Sequence, residues 1–164
     1  MLNINFDVLT WQLKSAMGSR KSAMIEVINR QRRRKINAKQ WLEFSERALQ
    51  SLGGDNQSVA IVFVGDAAIK KLNRQFRSKN DVTDVLSFPS KSESFEVENG
   101  PQLGEVVISA QRAATQAKEH GLSFSDEVKQ LILHGLLHLC GYDHETDRGE
   151  MNRLELKLRK KLGI

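Results

Sequence analysis

The chain has 164 residues, enough for one domain with a real core. Its single cysteine excludes an internal disulfide framework and fits a reducing compartment, and no stretch is apolar enough to cross a bilayer. A formal net charge of +5, with a pI of about 9.5, suits a polyanionic partner, although solvated lysines alone give the same balance.

The opening Met1-Leu2-Asn3-Ile4-Asn5-Phe6-Asp7 lacks the basic start and apolar core of a secretory signal, so a cytoplasmic protein is expected. Residues 1–22 read as an N-terminal extension and 23–164 as a single domain, with Met24 an alternative start. A strand is predicted at 24–29, followed by the basic run Arg30-Gln31-Arg32-Arg33-Arg34-Lys35. As a rule such a run is a solvated loop; contact with nucleic acid is the alternative. A helix over 38–51 places Trp41, Phe44, Ala48 and Leu49 on one side and stops at Gly53-Gly54.

Ser58–Val64 is a β-branched run with the look of a buried strand. Asp66 is placed to cap the next helix, which carries Ile69, Leu72 and Phe76 on one face. A polar loop over 77–83 leads to a strand at 84–88 stopped by Pro89. Residues 90–103 read as a mobile acidic loop. A strand at 104–108 runs into a helix capped by Ser109 and ended by Gly121, where His120 is a helix-end residue. Ser123 and Asp126 have capping-box spacing for the helix that follows. A last helix from about 147 sets Met151, Leu154, Leu158 and Leu162 in a core stripe and ends at Gly163. About four strands and five helices without repeats predict an α+β domain of two layers: a small mixed four-stranded sheet packed with the helices.

The chemistry is concentrated in His134-Gly135-Leu136-Leu137-His138-Leu139-Cys140-Gly141-Tyr142-Asp143-His144. Histidines four apart on a helix share a face, and Gly141 allows the chain to turn back so that His144 supplies a third nitrogen. Three imidazoles with an open position outline a catalytic zinc site, and H-x-x-x-H-x-x-G-x-x-H is the ligand spacing of the metzincins. Cys140 faces elsewhere and reads as a small hydrophobe. Zinc proteases place a glutamate after the first histidine as general base; here Gly135 stands there, which weakens the peptidase reading. That glycine costs about 1 kcal/mol in a helix interior, so it is expected to admit a close approach by backbone or substrate.

Two further segments precede the histidine motif in order, Leu72–Asn80 continuing through Thr83–Pro89 and then Gly104–Ser109, and Ile25–Arg30 stands before them as a first strand. With them the chain, over about residues 24–162, resembles the YbeY (UPF0054) family of metal-dependent endoribonucleases. The resemblance implies a small mixed sheet with helices around it. It also implies hydrolysis of single-stranded RNA in ribosomal RNA maturation, at the small-subunit RNA 3′ end, and in ribosome quality control. Ribosome-associated proteins are candidate partners. It puts the metal ligands on His134, His138 and His144, holding one divalent ion per chain, zinc by preference, and the family's arginine on Arg77. Lys79, Glu105 and Asp143 are candidates for substrate contact or for support of the ligands; Glu105 stands where many relatives have Asp. Asp84 and Ser87 read as structural ties, and Tyr142 as a neighbour that orients the third ligand. Two other classes stay open at this point: a metallohydrolase of another substrate, and a non-catalytic ribosome-associated zinc factor.

Overall fold

The computed structural model describes residues 24–54, 57–90 and 102–164; the proposed extension at 1–22 and most of the acidic loop lie outside them. The described residues form strands β1 (Ile25–Asn29), β2 (Ser58–Val64), β3 (Val85–Pro89) and β4 (Gln102–Ser109). Helices α1 (Ala38–Ser51), α2 (Asp66–Arg77), α3 (Ala110–Glu119), α4 (Phe124–Leu139) and α5 (Glu150–Leu162) surround them. The sheet order is β1-β2-β4-β3, with β1, β2 and β4 parallel and β3 antiparallel along one edge. This is the expected α+β arrangement with a mixed four-stranded sheet.

The two-layer expectation is corrected. Every residue of β2 is buried, which requires cover on both faces of the sheet. On one face Val59, Ile61, Phe63, Val106 and Ile108 pack with Trp41 and Phe44 of α1 and with Val128, Leu131, Ile132 and Leu136 of α4. On the other, Ala60, Val62, Val64 and Val107 pack against Ile69 and Leu72 of α2. Burying each large side chain here contributes roughly 1.5–3 kcal/mol. The stripe on α5 forms a separate cluster, with Met151 and Leu158 against Leu133 and Leu137 on the back of α4. α4 is therefore packed between the sheet and α5, a rigid place to mount ligands.

Three local expectations change. Gly65, not Asp66, is the N-cap of α2; Asp66 is the first helical residue, and its carboxylate accepts the Ser109 hydroxyl, tying α2 to the end of β4. Phe76 is 54% exposed and stacks edge-on against Phe88, 5.1 Å between centroids, outside the core. Pro89 is the last residue of β3 and does not stop the strand before it. On an edge strand a proline needs no ladder partner, and pairing continues through Ser90 N–H to Leu103 O at 2.9 Å, so Gln102 and Leu103 belong to β4.

Candidate metal centre

The capping expected for α4 is present. Ser123 accepts the Asp126 N–H at 3.0 Å and donates its hydroxyl to the Asp126 carboxylate at 2.7 Å. Asp126 and Glu127 in the first turn suit the positive end of the helix dipole. The helix ends at Cys140, and Gly141 takes φ +89°. Gly141 N–H bonds His138 O at 3.0 Å and Tyr142 N–H bonds Leu137 O at 3.1 Å, a left-handed termination that glycine permits. Asp143 O then receives the N–H groups of Thr146 and Asp147, closing a turn that carries His144 back over the helix.

The three rings meet. Centroids lie 4.8 Å apart for His134–His138, 5.3 Å for His134–His144 and 5.1 Å for His138–His144. One ligand atom from each lies within 4.8 Å of the others. Burial lowers the His138 pKa, and the neighbouring His134 and His144 lower it further, which favours the neutral form that ligates.

Glu155, on α5, was not foreseen. Its Oε2 lies 3.1 Å from His134 Nδ1 and its Oε1 accepts from Arg159 Nη2 at 2.5 Å. Burial raises the Glu155 pKa, but the bonds from His134 and Arg159 outweigh it, and the net shift is downward. In the tautomer that donates Nδ1–H to Glu155, His134 directs the Nε2 lone pair to its other side, where Nε2 of His138 stands at 3.2 Å. With the His138 Nε2 lone pair turned the same way, a shared cation would be held by both nitrogens; without one, a proton on His138 Nε2 bridges the pair. The residues present therefore fit a divalent metal, oriented by a carboxylate behind one ligand. A signal for Glu155 existed in the sequence: it is an acid four residues after Met151, within the apolar stripe of α5. Its partner, 21 residues away in the chain, is set only by how α5 docks.

A cleft of about 530 Å³ brings all three histidines together with Arg77, Tyr142 and Asp143. Arg77, the last residue of α2, is exposed, and β3 contributes Val85, Leu86, Ser87 and Pro89 to the lining. Asp143 does not hold a ring; its carboxylate accepts the Glu145 N–H at 3.0 Å. That bond, with the nearby histidines, keeps its pKa below the ordinary carboxylate range. Lys79 is exposed and does not line the cleft; its N–H bonds Asn73 O. Glu105 pairs with Phe88 and Ala60 and shares the face of Val107, the α2 side of the sheet, whereas α4 covers the other. The geometry sets Glu105 and Lys79 apart from the cleft.

Asp84 and Ser87 tie β3 in place. The Asp84 carboxylate accepts from Thr83 Oγ1 and Val85 N–H, and Ser87 Oγ donates to Gly135 O at 3.2 Å. A Cβ at Gly135 would stand 2.5 Å from Val106 Cγ1. The close approach expected there is made by the side chain of a neighbouring strand. His120 caps the end of α3, its Nδ1 3.0 Å from Glu127, and Cys140 stays out of the cluster with its thiol pKa raised by burial.

The model of one protein family, endoribonuclease YbeY, matches residues 26–163. A protein called endoribonuclease YbeY from Solibacter usitatus is 46% identical over 123 residues, covering 75% of this chain and 78% of its own length. The protein of that name from Geobacter metallireducens is 38% identical over 141 residues, covering 85% of this chain and 94% of its own. The solution structure of TM1509 from Thermotoga maritima superposes with a TM-score of 0.58 at 28% identity, covering 85% of this chain and 89% of its own. With a family model spanning nearly all of the described fold and relatives this similar over most of their length, the chain belongs to the endoribonuclease YbeY family.

Proposed function

We propose that this chain is a metal-dependent endoribonuclease that hydrolyses phosphodiester bonds in single-stranded RNA. The observation that carries the reading is the shared cleft: three imidazoles converge within it, and Arg77 lines it too. His134, His138 and His144 hold one divalent ion, zinc by the preference of imidazole for it. When bound, the ion supplies Lewis acidity and lowers the pKa of water. Glu155 fixes the ring plane of His134, and Arg159 anchors Glu155. Arg77 offers a planar, permanently charged fork to the phosphate oxygens, suited to the charge that grows on them at the transition state. Asp143 lines the cleft beside His144, and its carboxylate balances the cations of the site. Tyr142, 37% exposed at the cleft, presents a ring on which an unpaired base can stack, consistent with a single-strand preference.

The basic balance of the chain suits RNA, and its position within the family supports a role in ribosomal RNA maturation, at the small-subunit RNA 3′ end, and in ribosome quality control. Ribosome-associated proteins are then the natural partners and the cytoplasm the place of work. Among the described residues no helix is long and apolar enough to cross a membrane. The domain proper is residues 23–164, with 1–22 an extension. The test is incubation of metal-loaded and chelated protein with single-stranded and duplex RNA, with His138→Ala as control. Metal-dependent internal cleavage of the single strand, absent from the variant, is expected. Cleavage that survives chelation and the substitution overturns the reading.

A further inference from the structure

The basic run at 30–35 is not a loose solvated loop. Gln31, 9% exposed, organises it from within: its Nε2 donates to Asn29 Oδ1 at 2.9 Å and to Arg34 O at 2.7 Å, and its Oε1 accepts Arg34 N–H at 2.9 Å. Arg30 N–H bonds Phe63 O at 2.8 Å, fastening the loop to the end of β2. The Arg34 guanidinium lies 4.5 Å from the centre of the Phe124 ring, the first residue of α4. The loop is thus pinned at both ends and through its middle. Arg32, Arg33 and Lys35 are exposed, and among the described residues none has a carboxylate within ion-pair distance. Holding like charges together without counter-charge opposes folding, and fixing the loop removes the freedom by which they could spread. Such an arrangement is suited to a polyanion whose phosphates replace the missing carboxylates, with the ordering cost already met by the fold.

We propose that the Gln31-organised loop is a second anchor for the RNA backbone, remote from the cleft. This rests on the reading of RNA as substrate. α4 sets the spacing: Phe124 under Arg34 is ten residues before His134 and fourteen before His138, about 15–21 Å along the helix. A strand cut at the histidines reaches the loop only if it extends several nucleotides beyond the cut. The anchor therefore favours long single strands over fragments and does not touch the chemical step.

The test compares wild type with Arg32→Ala/Arg33→Ala/Lys35→Ala on a short RNA and on one of roughly sixteen nucleotides, a length within the span of known single-strand sites. Loss of three phosphate contacts should lower the slope of log affinity against log salt by roughly two for the long RNA. KM for that RNA should rise about tenfold with kcat unchanged within twofold, the pattern of lost uniform binding. Gln31→Ala keeps every charge but frees the loop, and should raise the same KM by a smaller factor; melting temperature and metal content check that each variant is folded. A wild-type chain that neither binds nor cuts RNA overturns both this anchor and the function it rests on. A wild-type chain that cuts RNA, beside a triple variant with unchanged slope and unchanged KM, overturns the anchor alone.

Discussion

The two sides of the cleft are built differently. His134 and His138 project from a helix covered by the sheet on one side and by α5 on the other, and Glu155 holds one of the rings from behind. Arg77 stands at the last turn of α2, exposed, before Ser78 in a left-handed conformation at φ +57°. One side fixes its groups by packing; the other presents an exposed cation that has no ion pair among the described residues. Ligands that must share one ion need a preformed geometry, since each ångström of error costs affinity. The comparison predicts that damage to the histidine side is read in metal content, and damage to the arginine side in turnover.

The largest effect comes from His134→Ala/His138→Ala. Elemental analysis should fall from about one metal per chain to none, with cleavage abolished. Full metal retention in this variant would remove the site from α4. Next is Arg77→Ala, expected to lower turnover by about a hundredfold or more, the scale of a single lost transition-state donor. Metal content should stay near one, since no ligand is touched. Arg77→Lys should recover only part, because a point charge lacks the paired donors of the guanidinium. Equal losses of binding and turnover would make Arg77 a holder of substrate and blur the contrast between the two sides.

Glu155 sharpens the contrast from the other direction. Glu155→Ala leaves His134 unoriented and Arg159 without its carboxylate. Metal affinity, measured by competition with a chromophoric chelator, should drop 10–100-fold, the usual loss for a partner behind a ligand. Glu155→Gln should lose less, because the amide oxygen still accepts from Nδ1. The carboxylate also carries a pH signature. Its folded pKa lies below the ordinary value, so its stabilising contribution is complete above the unfolded pKa and is lost as pH falls through the folded one. Metal-free wild type should therefore lose more melting temperature on acidification below about pH 4.5 than Glu155→Gln does. Parallel curves would mean that the pair carries no charge coupling.

What was legible in the sequence divides along a physical line. His134, His138 and the Gly141 turn follow from helical spacing and left-handed backbone, both local, and the structure places all of them as the spacing predicts. The bounds of α1 and β2 were equally local, set by apolar periodicity and by a β-branched run. Glu155 was missed because an acid within an apolar stripe gives no sign of which distant ring it meets. Glu105 drew attention by its motif, yet strand alternation points it to the α2 face; deciding which face is which requires knowing where α4 docks. The second covering layer did have a local sign, the unbroken apolar run of β2 that marks a strand buried on both faces; what the run does not show is that α2 supplies the cover on the far side. Arg77 reached the cleft through the family pattern, since nothing local distinguishes it from Arg74, three residues earlier on the same helix.

The smallest expected effect tests how far the stiff side tolerates movement. Gly135 lies against β4, where an added Cβ would meet Val106 Cγ1 at 2.5 Å and Cγ2 at 2.9 Å. Gly135→Ala gains about 1 kcal/mol in helix propensity. The clash, with a fully buried branched side chain, costs about 1–3 kcal/mol, since Val106 has no free space to retreat into. The clash should win by about 1 kcal/mol, read as a melting temperature lower by several degrees. α4 must then ride slightly off the sheet, stretching the Ser87 bond to Gly135 O and shifting His134 and His138 against His144, which is carried by the turn. Metal affinity should weaken a few-fold, while the phosphate contact proposed for Arg77, on the far side of the cleft, should be unaffected. Adding Val106→Ala opens the space the new methyl needs, so the double variant should be less destabilised than the sum of the singles by at least about 0.5 kcal/mol. Strict additivity would show that Gly135 is not held against Val106, and that the seat of α4 on the sheet rests on Val128, Leu131, Ile132 and Leu136 instead.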